Sequence, residues 1–301
     1  MSGHEGTTGF LDIQINGGWG HDFTADPSSI WEVGEHLPET GVTAFLPTIV
    51  SAPYEDVDAA IEVITSGPPE GYAGAQPLGL HIEGPWISPG WKGAHNPDHL
   101  RSPDVGVARR WADSGAVRML TLAPELDRAF EAAGILSDSG VVVSAGHSGA
   151  DFETAADALA GAWTAVTHLF NQMSPFHHRS PGLVGAAFLS DRPCGVIVDG
   201  IHSDPSAVRL AWDLLGPERF ILVTDGMQAT GLRPGRYQLG GQAVDVGAEG
   251  PRIWPDTLAG STLTMDQAVG NLLDWTAAAE VEARASASLI PSRLLGLETG
   301  R

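Results

Sequence analysis

Val141-Val142-Val143-Ser144-Ala145-Gly146-His147-Ser148 and Ala165-Val166-Thr167-His168-Leu169-Phe170-Asn171 are two short apolar runs that each end in a histidine. Asp151 to Gly161 between them reads as a helix, so Val141 to Met173 predicts strand, helix, strand. In a parallel barrel the C-terminal ends of all strands open onto one face, which places His147 and His168 side by side at the mouth. A metal site would be built there.

The same alternation continues outward in both directions. Upstream, strands are expected at Gly9 to Gly18, Thr43 to Ser51, Pro77 to Glu83 and Val117 to Glu125, with helices at Ser28 to Glu39, Pro53 to Ile64, Asp104 to Ser114 and Asp127 to Asp138. Downstream, Cys194 to Gly200 and Phe220 to Asp225 read as strands around a helix at Asp204 to Leu215. Helices at Met265 to Ala279 and Ala283 to Gly296 close the chain. Two stretches, Trp86 to Ser102 and Gln172 to Ala187, read as long polar loops, and loops of that length inside a domain usually carry function. Alternation around Tyr237 to Val244 predicts a hairpin in an insertion at about 228–259. Eight strands alternating with helices give a (β/α)8 TIM-type barrel, and 301 residues suffice for one such catalytic domain over 1–301.

Composition narrows the partners. The formal net charge is -21, from 16 Lys+Arg against 37 Asp+Glu, which opposes nucleic acid and anionic membrane. No apolar run reaches membrane-spanning length, and Met1 to Thr8 has neither a basic nor an apolar signal region. Cys194 is the single cysteine, read as a buried structural thiol, so no intrachain disulfide forms and a cytoplasmic location is expected.

On this barrel the ionisable residues gather at one rim: Glu83, His147, His168, His202 and Asp225. One carboxylate and two imidazoles suffice to hold a catalytic divalent metal with positions left open, and Asp225 would remain free to move a proton. Each has an ordinary alternative. A strand-end histidine often serves only as a hydrogen-bonding residue, Glu83 and Asp225 would serve as helix caps or loop anchors, and His177 and His178 as solvated loop residues. Their joint placement favours a metal hydrolase.

The chain resembles the N-acetylglucosamine-6-phosphate deacetylase family of the amidohydrolase superfamily. The blocks that carry the likeness are Gly79 to Pro85, Lys92 to Asn96, Ser144 to Ser148, Thr167 to Asn171, Ser180 to Leu183, Asp199 to His202, Val223 to Asp225 and Leu258 to Leu263. The resemblance implies a metal-dependent hydrolase that releases acetate from N-acetyl-D-glucosamine 6-phosphate. It implies one divalent ion on Glu83, His147 and His168, with zinc first and iron, manganese or cobalt as alternatives. It makes Asp225 the acid/base and gives His95 the acetyl carbonyl. His202, Asn171, Gln172, Leu258 and Gly260 would contact the substrate, and Arg179 would reach the phosphate across a homodimer interface.

Three departures are visible. Some relatives place His-x-His at the end of the first strand and bind a second ion, whereas this chain has Gln14 and Asn16, neutral amides that ligate cations poorly. Gln172 stands where many relatives have alanine. Relatives also carry a small β-sandwich built from segments flanking the barrel, and the expectation here is a barrel without it. The competing functions are a deacetylase for a different or unphosphorylated N-acetylamino sugar, and a non-catalytic sugar-phosphate binding barrel.

Overall fold

Runs of β-branched and aliphatic residues punctuated by glycine and proline form eight parallel strands: β1 (Phe10–Ile15), β2 (Val42–Val50), β3 (Leu80–Glu83), β4 (Val117–Leu122), β5 (Val142–Ala145), β6 (Trp163–Val166), β7 (Cys194–Val196) and β8 (Phe220–Leu222). They come from a computed structural model that describes residues 9–297. The strands pair in chain order from β1 to β8. Backbone bonds from Asp225 N to Gln14 O, 2.8 Å, and from Asn16 N to Gly226 O, 2.7 Å, join the last strand to the first. The result is a nearly closed barrel, with a short stretch at Gln76–Pro77 added beside β2.

Around it lie α1 (Ile30–His36), α2 (Tyr54–Ser66), α3 (Val105–Asp113), α4 (Ala129–Asp138), α5 (Phe152–Ala160), α6 (Gly182–Leu189), α7 (Pro205–Leu215), α8 (Met265–Trp275), α9 (Glu280–Ser286) and α10 (Leu289–Leu294). Strands covered on both faces lose polar alternation, which is why β5 and β7 are buried along their whole length. Asp104, Asp151 and Asp204 accept backbone N–H bonds in the first turns of α3, α5 and α7. Each such cap contributes about 1 kcal/mol and sets where the helix begins. Trp86, just past β3, stacks on Trp111 of α3 at 5.1 Å, locking the first turn of the long loop to the outer layer. Cys194 is fully buried, and burial pushes its thiol up to about 12.

Several elements differ from the sequence reading. Gly182–Leu189 is helical, not loop: six of its eight residues are buried, so it has no polar face to betray it. The terminal helix is two helices, α9 and α10, broken at Ala287 and Ser288. The helix expected over Ser28 to Glu39 is α-helical only at Ile30–His36, with 3-10 turns on either side. The insertion forms a four-stranded antiparallel sheet, β9 (Gly235–Leu239), β10 (Gln242–Gly247), β11 (Gly250–Ile253) and β12 (Thr257–Leu258), larger than one hairpin. Among the described residues no helix is long and apolar enough to cross a membrane. The reading of Met1 to Thr8 falls outside the described residues.

Candidate metal centre and active site

Glu83 is the last residue of β3, while His147 and His168 each follow their strand by two residues. Both histidines and Asp225 have positive φ, at 48°, 22° and 50°. L-residues held there cost on the order of 1–3 kcal/mol each, a strain that tends to sit at functional sites. The consequence is convergence: the Nε2 atoms of His147 and His168 stand 3.2 and 3.0 Å from Glu83 Oε1 and 3.1 Å from each other. All three residues are buried, and one ligand atom from each lies within 4.8 Å of the others.

This donor set fits a divalent cation. His147 Nδ1 faces the Trp91 carbonyl at 2.9 Å, so the proton belongs on Nδ1 and Nε2 presents a lone pair. That lone pair points at a carboxylate oxygen and a second imidazole nitrogen, an arrangement that a shared cation relieves. Burial works to raise Glu83's pKa, yet the hydrogen bonds and charges of His147 and His168 hold it well below the usual range. Burial also opposes a charge on His168, but contact with Glu83 raises its pKa. The site is therefore built to stabilise positive charge, which a metal would supply in place of a proton.

A layer of hydroxyls ties the ligand-bearing strands together beneath this centre. Fully buried His81, pushed down to about 4 chiefly by burial, lies 3.1 Å through Nδ1 from the Ile13 carbonyl. Its Nε2 is left to accept from Thr121 Oγ1 at 2.8 Å, and Thr121, Thr167 and Ser144 continue the chain at 2.8 and 2.6 Å. Glu125 holds the turn after His147 by accepting from Ser148 Oγ and Gly149 N, at 2.7 and 2.6 Å.

Asp225 stands across from the three. Burial first and the Glu83 charge second raise its pKa to about 6. Asn16 Nδ2 donates to its Oδ1 at 2.7 Å and Gln14 Nε2 lies 3.4 Å from the same oxygen, leaving Oδ2 for a proton. Neither carboxylate is a helix cap. Gln14 and Asn16 thus work as amide donors at the place where a second ion would need ligands.

His95 completes the pocket wall with Nε2 3.9 Å from Glu83 Oε2. Its Nδ1 accepts from the backbone N–H of Ser51 at 3.1 Å, so the neutral ring carries its proton on Nε2, facing the cavity. Burial, then the neighbouring imidazoles, push its pKa down to about 3. His202 Nδ1 meets Asp199 Oδ2 at 2.7 Å. Burial opposes the Asp199 charge, but His202 and two backbone N–H groups outweigh it and hold the carboxyl below its ordinary value.

A cavity of about 290 Å³ opens over these groups and is also lined by Asn171, Gln172, Leu258 and Gly260. Gln172 packs against Gly93, where a Cβ would come within 2.9 Å of its Cγ. Its side chain is thus part of the wall. Arg179 is not: it is exposed and bonded to His178 at 2.8 Å, outside the cavity of its own chain. Sequence reasoning missed Ser51, Glu125, Arg252, Asp256 and Thr257. The last three lie on β11, β12 and the turn between them, strands too short to read from sequence.

No family model matches the chain. It is 41% identical to human N-acetylglucosamine-6-phosphate deacetylase over 97% of its own length and 75% of that protein's. It is 36% identical to N-acetylgalactosamine-6-phosphate deacetylase of Escherichia coli O157:H7, over 96% of the chain and 78% of the relative. A mutant N-acetyl-D-glucosamine-6-phosphate deacetylase from Mycobacterium smegmatis, solved in complex with N-acetyl-D-glucosamine-6-phosphate, superposes with a TM-score of 0.90 and 34% identity, covering 97% of this chain and 78% of that one. With its barrel rim, buried Glu-His-His set and these relatives, the chain belongs to the N-acetylglucosamine-6-phosphate deacetylase family.

Proposed function

We propose that the chain hydrolyses the acetamide of N-acetyl-D-glucosamine 6-phosphate to D-glucosamine 6-phosphate and acetate, with one divalent ion, zinc first, held by Glu83, His147 and His168. The observation that carries this reading is the convergence of those three buried side chains opposite a carboxyl whose pKa is raised to about 6. A metal bound there would polarise the amide carbonyl and acidify a water.

The chain's own residues do the rest. His95 donates Nε2–H to the acetyl oxygen as charge grows on it, its tautomer held by Ser51. Asp225 takes a proton from the attacking water on Oδ2 and returns it to the amide nitrogen as the C–N bond breaks, so glucosamine leaves as an amine; the other water proton, left on the acid's hydroxyl, passes to solvent as acetate forms. A carboxyl with a pKa near 6 suits both halves of that transfer. Asn16 keeps the carboxyl aimed by holding Oδ1. His202, Asn171, Gln172, Leu258 and Gly260 contact the sugar phosphate, and in a homodimer Arg179 extends toward the partner's cavity.

Acetate release from N-acetylglucosamine 6-phosphate by metal-replete protein tests the assignment. The galactosamine epimer and unphosphorylated N-acetylglucosamine are the comparison substrates. Release from N-acetylglucosamine 6-phosphate, lost on chelation, is expected. Release from neither phosphorylated sugar refutes it.

A further inference from the structure

A substrate carrying a phosphoryl group must enter a cavity lined by three carboxylates, Glu83, Asp225 and Asp256, in a chain of net charge -21. Long-range repulsion opposes entry, and a cation on the cavity wall offsets it where the phosphate comes to rest. Among the described residues that line this cavity, the one guanidinium is Arg252, and there is no lysine.

Arg252 lies on β11 and pairs in register with Leu258 of β12, another wall residue. Side chains two apart on a strand share a face. Gly250, two residues earlier, packs so closely on Ile201 that a Cβ there would lie 3.2 Å from Ile201 Cδ1. The strand face bearing Arg252 is thereby set beside the turn that carries His202. The Arg252 side chain is 31% exposed, and its Nη1 pairs with Asp256 Oδ1 at 2.7 Å, while the Asp256 side chain is 79% exposed. An ion pair this open to solvent contributes little and separates readily. A phosphate presents more oxygens and more charge to the guanidinium fork than a single carboxylate does.

We propose that Arg252 is a specificity residue that binds the substrate's phosphate from within the same chain, with Asp256 as the resting counterion that the phosphate displaces. This rests on the reading of the site as acting on an N-acetylamino sugar phosphate. Arg252 discriminates phosphorylated from unphosphorylated substrate and takes no part in the proton transfers.

The test compares metal-replete wild type, Arg252→Ala, Arg252→Lys and Asp256→Asn on N-acetylglucosamine 6-phosphate and on N-acetylglucosamine, with inorganic phosphate titrated separately as a binding probe. Loss of a charge-assisted contact should raise KM for the phosphorylated sugar about 10- to 100-fold in Arg252→Ala with kcat little changed. KM for the unphosphorylated sugar should stay put. Arg252→Lys should recover part of the loss, Asp256→Asn should lower KM for the phosphorylated sugar, and phosphate should bind more weakly to Arg252→Ala than to wild type. Equal KM increases for both sugars, a matching fall in kcat for both, or no change would overturn the assignment. A wild type that turns over neither sugar sinks the deacetylase reading instead, and the phosphate titration still reports on Arg252.

Discussion

Gln14 Nε2 donates to Glu83 Oε1 across the barrel at 3.0 Å, so a residue on β1 orients a carboxylate on β3. A side chain that holds a ligand typically contributes 10- to 100-fold to metal affinity. Gln14→Ala should therefore release its divalent ion to a competing chelator about 10- to 100-fold more readily than wild type. Metal analysis of the wild type should return one ion per chain, because the NH2 groups of Gln14 and Asn16 donate to the two carboxylates and only neutral amide oxygens, weak ligands for a second ion, are left. Two ions per chain would contradict this.

Asp225→Asn should cut turnover by about 100- to 10,000-fold, the usual contribution of a positioned acid/base, while metal content stays at the wild-type level. Rate and metal analysis on one preparation check both halves. Loss of the ion together with activity would make Asp225 a ligand, not a proton carrier.

The barrel was legible from sequence because strands buried on both faces appear as short apolar runs, and the histidines follow two of those runs directly. What stayed hidden had physical causes. α6, Gly182–Leu189, is small and apolar on every side, so the helical period is absent. Ser51 and His95 meet 44 residues apart through a backbone N–H, which no side-chain motif encodes. In the sequence Gln14 and Asn16 read only as poor cation ligands, and their donor roles emerge only when β1 is set between β8 and β2.

The Ser51 N–H bond predicts one imidazole form. The His95 ring should show its proton on Nε2 and a bare Nδ1 in a 15N-detected spectrum of the metal-loaded protein at neutral pH. His95→Ala should lower kcat without releasing the metal. A spectrum with the proton on Nδ1 would remove His95 as a donor to the acetyl oxygen.

Asp12, wholly buried beneath Thr224, has its pKa raised to about 7, chiefly by burial. Below about pH 4 both folded and unfolded chains hold this proton, so the group adds no pH dependence there. Between about pH 4 and 7 the folded chain keeps a proton that the unfolded chain gives up, so stability falls as pH rises through that window. The loss is on the order of a few kcal/mol. Asp12→Asn retains an oxygen for the Gln14 and Thr224 N–H groups and should melt like wild type near pH 4 but higher than wild type at pH 8. Parallel melting profiles across that range would refute the shift.

An anomalous-difference map from crystals of the metal-loaded protein tests the central claim most directly. The account predicts a single peak about 2.0–2.2 Å from a Glu83 carboxylate oxygen and from Nε2 of His147 and His168, with Asp225 outside bonding distance. A peak elsewhere, a second peak at Gln14 and Asn16, or a peak bonded to Asp225 would contradict it.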